Sequence, residues 1–169
     1  MARDATVRLI ELTRSDLTAL IDDPDAFATA HALELGEVSD AVAETANIMA
    51  RFYDTAGIDA PWGAYLAVDD SRGQAVGVGS FKGAPDAARA IEIAYATFPV
   101  FEGQGIAAQT AAQLVAIANT SPHVDLVVAH TLREENASVR ILRRLGFQFA
   151  GEVIDDPDDG PVWRWELPA

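Results

Sequence analysis

The sequence predicts an α/β fold: one mixed, mostly antiparallel sheet carrying helices on both faces. Three observations carry that expectation. A first strand leads into a long helical region, three strand-like runs then follow one another between good turns, and strands alternate with helices after that. The 169 residues fit one domain, 1–169, large enough to bury a core unaided.

Val7–Leu12 alternates loosely and precedes Thr13, Ser15 and Asp16, a cluster that starts helices. A helical region follows over about Ser15–Ala56. Pro24 and Gly36 divide it into three helices, with Asp25, Ser39 and Asp40 as expected caps and Gly57 as a stop. Val42, Ala46, Met49 and Tyr53 recur at helical spacing, which marks the buried stripe of the longest of these helices, with Phe52 beside it. After Pro61 the period changes. Trp62–Val68, Ala75–Lys82 and Ala90–Thr97 read as an antiparallel meander, separated by turns at Asp69–Gly73 and Gly83–Asp86. A glycine-containing loop then opens a helix over Gly105–Asn119. The remainder reads as a strand Leu126–Thr131, a helix Asn136–Leu145 stopped by Gly146, and strands Phe147–Ile154 and Val162–Leu167.

Composition narrows the function. Half of the residues are hydrophobic and 22% are charged, as in a folded globular protein. Twelve basic residues against 26 acidic ones give a formal charge of −14, which repels phosphate backbones and anionic lipid, so neither nucleic acid nor membrane is expected as a partner. The absence of cysteine excludes disulfides, a thiol nucleophile and thiolate metal sites. No secretory run opens the chain and no stretch is apolar enough to span a bilayer, so a cytoplasmic protein is expected. Lys82 is the single lysine; the other basic residues are all arginine.

Two stretches carry chemistry. In the first, Glu92–Ala111, a strand ends in a turn whose Gly103 and Gly105 let backbone approach a ligand. The first-turn N–H groups of the following helix then suit a phosphate or pyrophosphate. Gly103, Gly105 and Ala108 also fit a dinucleotide fingerprint, but Pro99–Glu102 intervenes after the strand and Asp125 begins the next strand instead of ending it. In the second stretch, Ala129–Phe147, Asn136 and Ser138 open a short basic helix closed by Gly146.

In order and placement, the two stretches resemble the GNAT superfamily of acetyl-CoA-dependent N-acetyltransferases, especially the branch of ribosomal-protein alanine acetyltransferases. The family's Gln/Arg-x-x-Gly-x-Gly/Ala motif falls on Glu102-Gly-Gln-Gly105-Ile-Ala107, and its Asn-x-x-Ser to Leu-Gly-Phe motif on Glu135–Phe147. The resemblance covers about Ala64–Leu167. It implies a GNAT-like domain whose Ala96 and Thr97 offer backbone groups to the pantetheine arm, the fourth and fifth strands being splayed by bulges. It further implies that Gly103, Gln104, Gly105, Ile106, Ala107 and Ala108 hold the pyrophosphate and that Asn136 bonds the cofactor arm. Three positions depart from the family: Glu102 replaces Gln or Arg, Asn136 sits one residue late, and Leu142 stands where many relatives carry a tyrosine acid. Tyr95 or water then protonates the leaving thiolate.

The reading is acetyl transfer to a primary amine, of a small molecule or a protein N-terminus, by direct attack on acetyl-CoA, with no metal. A homodimer is compatible with it. Glu92 is the candidate base, because Glu92-Ile-Ala-Tyr95 resembles the strand on which histone-acetylating relatives carry a glutamate base. His130, ending the next strand, is the second candidate, since an imidazole titrates near neutrality. His31 and His123 have no comparable placement. Trp62, Tyr65, Trp163 and Trp165 are read as sheet and core residues. A non-catalytic acyl-CoA-binding module and a nucleotide-dependent oxidoreductase are the rivals.

Overall fold

Thr13 starts the first helix with a reciprocal cap: its hydroxyl accepts from Asp16 N–H, and the Asp16 carboxylate accepts from Thr13 N–H. That cap turns the chain from β1 (Val7–Leu12) into α1 (Arg14–Asp22). The computed structural model describes residues 5–58 and 60–169. The opening residues 1–4, part of the segment read for a secretory signal, lie outside the described residues. Asp23 caps α2 (Pro24–Ala30), not Asp25, because Pro24 fits the first helical position and leaves the cap to the residue before it. Neither Ser39 nor Asp40 caps α3 (Ser39–Ala56), since a 3-10 turn at Gly36–Val38 feeds straight into that helix. Gly57 ends it in the left-handed conformation.

The remaining elements are β2 (Ala64–Asp69), β3 (Gln74–Phe81), β4 (Ala90–Thr97), α4 (Ile106–Asn119), β5 (Leu126–Thr131), α5 (Ala137–Arg144), β6 (Gln148–Asp156) and β7 (Gly160–Pro168). The sheet order is β1-β2-β3-β4-β5-β7-β6, and only β4 and β5 run parallel. Helices α1–α3 bury Leu17, Leu20, Val42 and Ala46 with Leu66 and Val68 on one face. On the other face, Leu114 of α4 and Val139 and Leu142 of α5 meet Tyr65, Ile93, Val127 and Trp165. Among the described residues, no helix is long and apolar enough to cross a membrane.

Helix α4 is pinned from two directions. A Cβ on Gly79 of β3 would lie 2.9 Å from Thr110 Cγ2 and 3.1 Å from a Leu114 methyl, so glycine there lets the helix sit close to the sheet. Across the same face, Gln109 Oε1 accepts from Val7 N–H at 3.0 Å and its Nε2 donates to Ala5 O at 2.7 Å, while Gln113 donates to Val7 O at 2.6 Å. Those glutamines satisfy backbone groups of the edge strand β1 that no further strand pairs.

The pairing of β4 with β5 is short: Ala90↔Leu126, Ile91↔Val127 and Glu92↔Val128, and then it stops. The expected bulges do not produce this opening. β4 stays in register with β3 over Ile93–Thr97, and β5 with β7 over Leu126–Thr131, so each strand follows its outer neighbour and the two part between them. Register shifts occur instead at Phe149/Gly151 and Ile154/Asp156 in the β6–β7 hairpin. Bulges bend strands, and this hairpin returns over the sheet: Asp155 of β6 reaches Lys82 at the end of β3, although three strands lie between β3 and β6 in the sheet order.

Candidate active site

Backbone alternation decides which groups of β4 face the opening. Lys82 N–H donates to Glu92 O at 3.0 Å and Phe98 N–H to Val76 O at 2.9 Å, so the even-numbered residues turn their N–H and C=O to β3. Ile93, Tyr95 and Thr97 therefore turn theirs toward the space β5 has left. Thr97 meets the sequence expectation, whereas the Ala96 backbone is engaged with Val78 and only the residue's surface lines the opening.

A cleft of about 470 Å³ continues this opening between the start of α4 and α5. Tyr95, Ala96, Thr97, Gly103, Gly105, Ile106, Ala107 and Ala108 line it, together with Ser138, Arg140 and Arg144 from the α5 side. Gly103 and Gly105 have φ of +77° and +75°, and a Cβ on either would meet nothing within 4 Å, so the requirement for glycine is conformational. Gly105 leads into α4 with no side-chain cap, which leaves first-turn N–H groups for an anionic ligand. Arg140 and Arg144 make no ion pair among the described residues, unlike Arg143, which pairs with Glu135. A carboxylate, Glu102, also lines the cleft. Backbone donors and two unpaired guanidiniums fit the phosphates of a CoA ester.

Gln104 and Asn136 are not among the lining residues. Asn136 caps α5, its Oδ1 accepting from Val139 N–H at 3.0 Å. Leu142 is wholly buried in the core, so the face of α5 on which relatives carry a tyrosine is here apolar packing. Tyr95 supplies a hydroxyl instead. Burial pushes its phenol up to about 12, opposed by the neighbouring Ser138 side chain, and the oxygen is buried without a hydrogen-bond partner.

Glu92 lies on the opposite face of β4 from Tyr95, three residues along an alternating strand. Its Oε1 meets His130 Nδ1 at 2.9 Å and Lys82 Nζ at 2.5 Å. Because an ionised carboxylate can only accept, the proton of this contact lies on His130 Nδ1. Asp155 Oδ2 joins the group at 3.2 Å from Lys82 Nζ and 3.6 Å from His130 Nδ1. The side chains of His130 and Glu92 are 9% and 18% exposed, those of Lys82 and Asp155 36% and 39%. His130 Nε2 is buried without a partner, whereas Glu92 Oε2 makes no hydrogen bond and is not sealed from solvent. Donor atoms of Glu92, His130 and Asp155 lie within 4.8 Å of one another, close enough to share one cation, and the cation this chain supplies is Lys82. Burial opposes the Lys82 charge, but Glu92 and then Asp155 outweigh it and hold the ammonium above its ordinary range.

Sequence reasoning singled out Glu92 and His130 separately; the structure joins them. It had no signal for Asp155, which follows from the bent hairpin, and noted Lys82 only as the single lysine. The aromatic residues are structural, as expected. Trp165 Nε1 donates to Thr131 Oγ1, Tyr65 OH donates to Pro61 O, and Trp62 and Phe81 meet edge to face. His31 stacks on Phe27 at the end of α2.

Residues 6–148 match the family model described as an acetyltransferase (GNAT) domain. No curated protein sequence matches the chain. Among solved structures, the RimL ribosomal L7/L12 alpha-N-protein acetyltransferase in complex with coenzyme A is similar, with a TM-score of 0.64 and 18% identity over 96% of this chain and 94% of that one. A spermidine N-acetyltransferase SpeG chimera from Vibrio cholerae gives 0.63 and 17% over 96% and 95%. A structure described as a phosphinothricin N-acetyltransferase by assignment gives 0.62 and 14% over 96% and 98%. At such identities the structures establish the shared fold, and the domain match establishes descent: the chain belongs to the GNAT acetyltransferase family.

Proposed function

We propose that the chain transfers an acetyl group from acetyl-CoA to a primary amine of a small molecule or a protein N-terminus. The observation that carries this reading is the end of β4–β5 pairing at Glu92↔Val128. There the sheet opens, with a carboxylate on one face and a buried phenol on the other. Acetyl-CoA supplies the activated acyl thioester. Tyr95 and Thr97 offer it strand-like backbone groups, and the start of α4 with Arg140 and Arg144 receives its phosphates.

Overall, a C–N bond forms, the C–S bond breaks, one proton leaves nitrogen and one reaches sulfur. Glu92 Oε2 takes the amine's proton. Greater exposure favours it over His130, whose remaining nitrogen is sealed and whose Nδ1–H orients the carboxylate. Tyr95 stays protonated at neutral pH and serves the leaving sulfur from the other face. The similar structures are named for a protein N-terminus, spermidine and phosphinothricin, all amine acceptors, which supports an amine here.

The test is a panel of amino-acid amides, peptides and polyamines with acetyl-CoA and a thiol readout. Glu92→Gln at saturating acceptor should lower kcat by about 10²–10⁴-fold while leaving CoA affinity nearly unchanged. Wild-type kcat in that variant across pH 6–9 removes Glu92 as the base. CoA binding with no thiol release across the panel makes the protein an acyl-CoA-binding module instead.

A further inference from the structure

The proton acceptor assigned to Glu92 sits in a cluster whose charge balance depends on one residue. Around the His130 imidazole stand Glu92 from β4, Asp155 from β6 and Lys82 from β3. From β7, Arg164 lies opposite His130 in register and is neutralised by Glu166 at 2.7 Å. With Lys82 charged, the two carboxylates and one ammonium sum to a single negative charge. Without it, two carboxylates face one Nδ1–H, and such a group retains an extra proton to higher pH. A lysine half-withdrawn from water needs this compensation in turn.

We infer that Lys82 is a positioning residue for the transfer. Its ammonium, held between Glu92 and Asp155, keeps the Glu92 carboxylate ionised and aimed at His130, so that Oε2 is ready to accept a proton at neutral pH. Lys82 touches no reacting atom in this role and acts through Glu92. The inference rests on the reading of Glu92 as base. It adds that the cluster's net charge, not the presence of any one contact, sets the pH range of activity.

Charge-altering variants separate this from a packing role, because they must move the pH profile in opposite directions. In Lys82→Met the acid limb of kcat should rise by about one pH unit or more. That is roughly a tenfold loss at pH 6.5 that is largely recovered by pH 9. Asp155→Asn should lower the limb, and the double variant Lys82→Met/Asp155→Asn should return it toward the wild-type position. Lys82→Arg should keep the limb in place. CoA affinity should stay level throughout. NMR titration of the three imidazoles, with His130→Gln for assignment, reads the same coupling without any substrate: the His130 midpoint should move up in Lys82→Met and down in Asp155→Asn. A uniform loss at every pH, or a double variant no closer to wild type than Lys82→Met, overturns the inference. So does a moved imidazole midpoint with an unmoved acid limb. If no amine is acetylated, the reading of Glu92 fails, and the NMR series still decides whether Lys82 governs the cluster. Should Lys82→Met not fold, Asp155→Asn carries the test with its downward shift.

Discussion

Arg89 and Asp125 clamp the closed end of the opening between β4 and β5. Arg89 Nε lies 2.5 Å from Asp125 Oδ2 and Nη2 lies 2.9 Å from Oδ1, a two-point contact between the residues just before the two strands. Arg89 also donates to Pro122 O, and its own φ is +60°, a left-handed conformation that a non-glycine residue adopts at a cost. The parallel strands are thus tied at one end and free at the other.

Arg89 holds the Asp125 carboxyl below the ordinary carboxylate range. A depressed folded-state value stabilises above the unfolded value and loses that stabilisation as pH falls through the folded one. The melting temperature of Asp125→Asn should therefore lie below wild type near neutrality, with the gap closing below about pH 4. Arg89→Gly, which relieves the backbone, should melt above Arg89→Ala, since both lose the clamp.

Gly105→Val should abolish measurable CoA binding, because a β-branched residue resists φ of +75° and would displace the start of α4. Gln104→Ala, whose side chain lies outside the cleft lining, should bind CoA within about twofold of wild type. Equal affinities by calorimetry would remove the phosphate role from this loop.

Arg140→Ala and Arg144→Ala should each weaken CoA more than dephospho-CoA if these guanidiniums receive the 3′-phosphate at the cleft edge. Equal losses for the two ligands would show a general field effect in a protein of charge −14.

Tyr95→Phe should lower kcat by about ten- to a hundredfold with little change in CoA affinity, because the phenol acts on the leaving group. With the phenol pushed up to about 12, the wild type should show no alkaline limb from Tyr95 below pH 10. An unchanged kcat would assign protonation of sulfur to water.

Gly79→Ala should destabilise by about 1–3 kcal/mol, read by urea unfolding, since the new methyl meets Thr110 and Leu114 inside ordinary contact distance. CoA affinity should fall with it, because the same displacement moves the start of α4.

The boundaries of β4 and β5 are legible to the residue, because runs of strand formers end at unambiguous turns. The caps of α2 and α3 are not. Polar candidates crowd those starts, and the choice depends on where Pro24 fits and on a 3-10 turn that has no strong local signature. The glycine loop is legible for the same reason as the strands: its requirement is local. Which face each β4 residue serves is half legible, since alternation is visible but its phase is set by pairing with β3, as Ala96 and Thr97 show. Lys82 and Asp155 lie 10 residues before and 63 after Glu92, and the bend that unites them comes from shifts in the β6–β7 register. No spacing rule reaches that far. Gln109 and Gln113 likewise look like ordinary helix residues until the unpaired edge of β1 is beside them.

The alternation along β4 makes this strand intolerant of length change in a way its side chains do not reveal. Even-numbered residues are committed to β3 and odd-numbered ones to the opening. A single insertion or deletion between Glu92 and Thr97 would exchange the two sets downstream of it, sending the phenol side of the strand to the carboxylate side. Evolution can therefore trade side chains along Ile93–Thr97 one at a time, yet it can alter the strand's length only in pairs of residues or by installing a bulge that restores the phase.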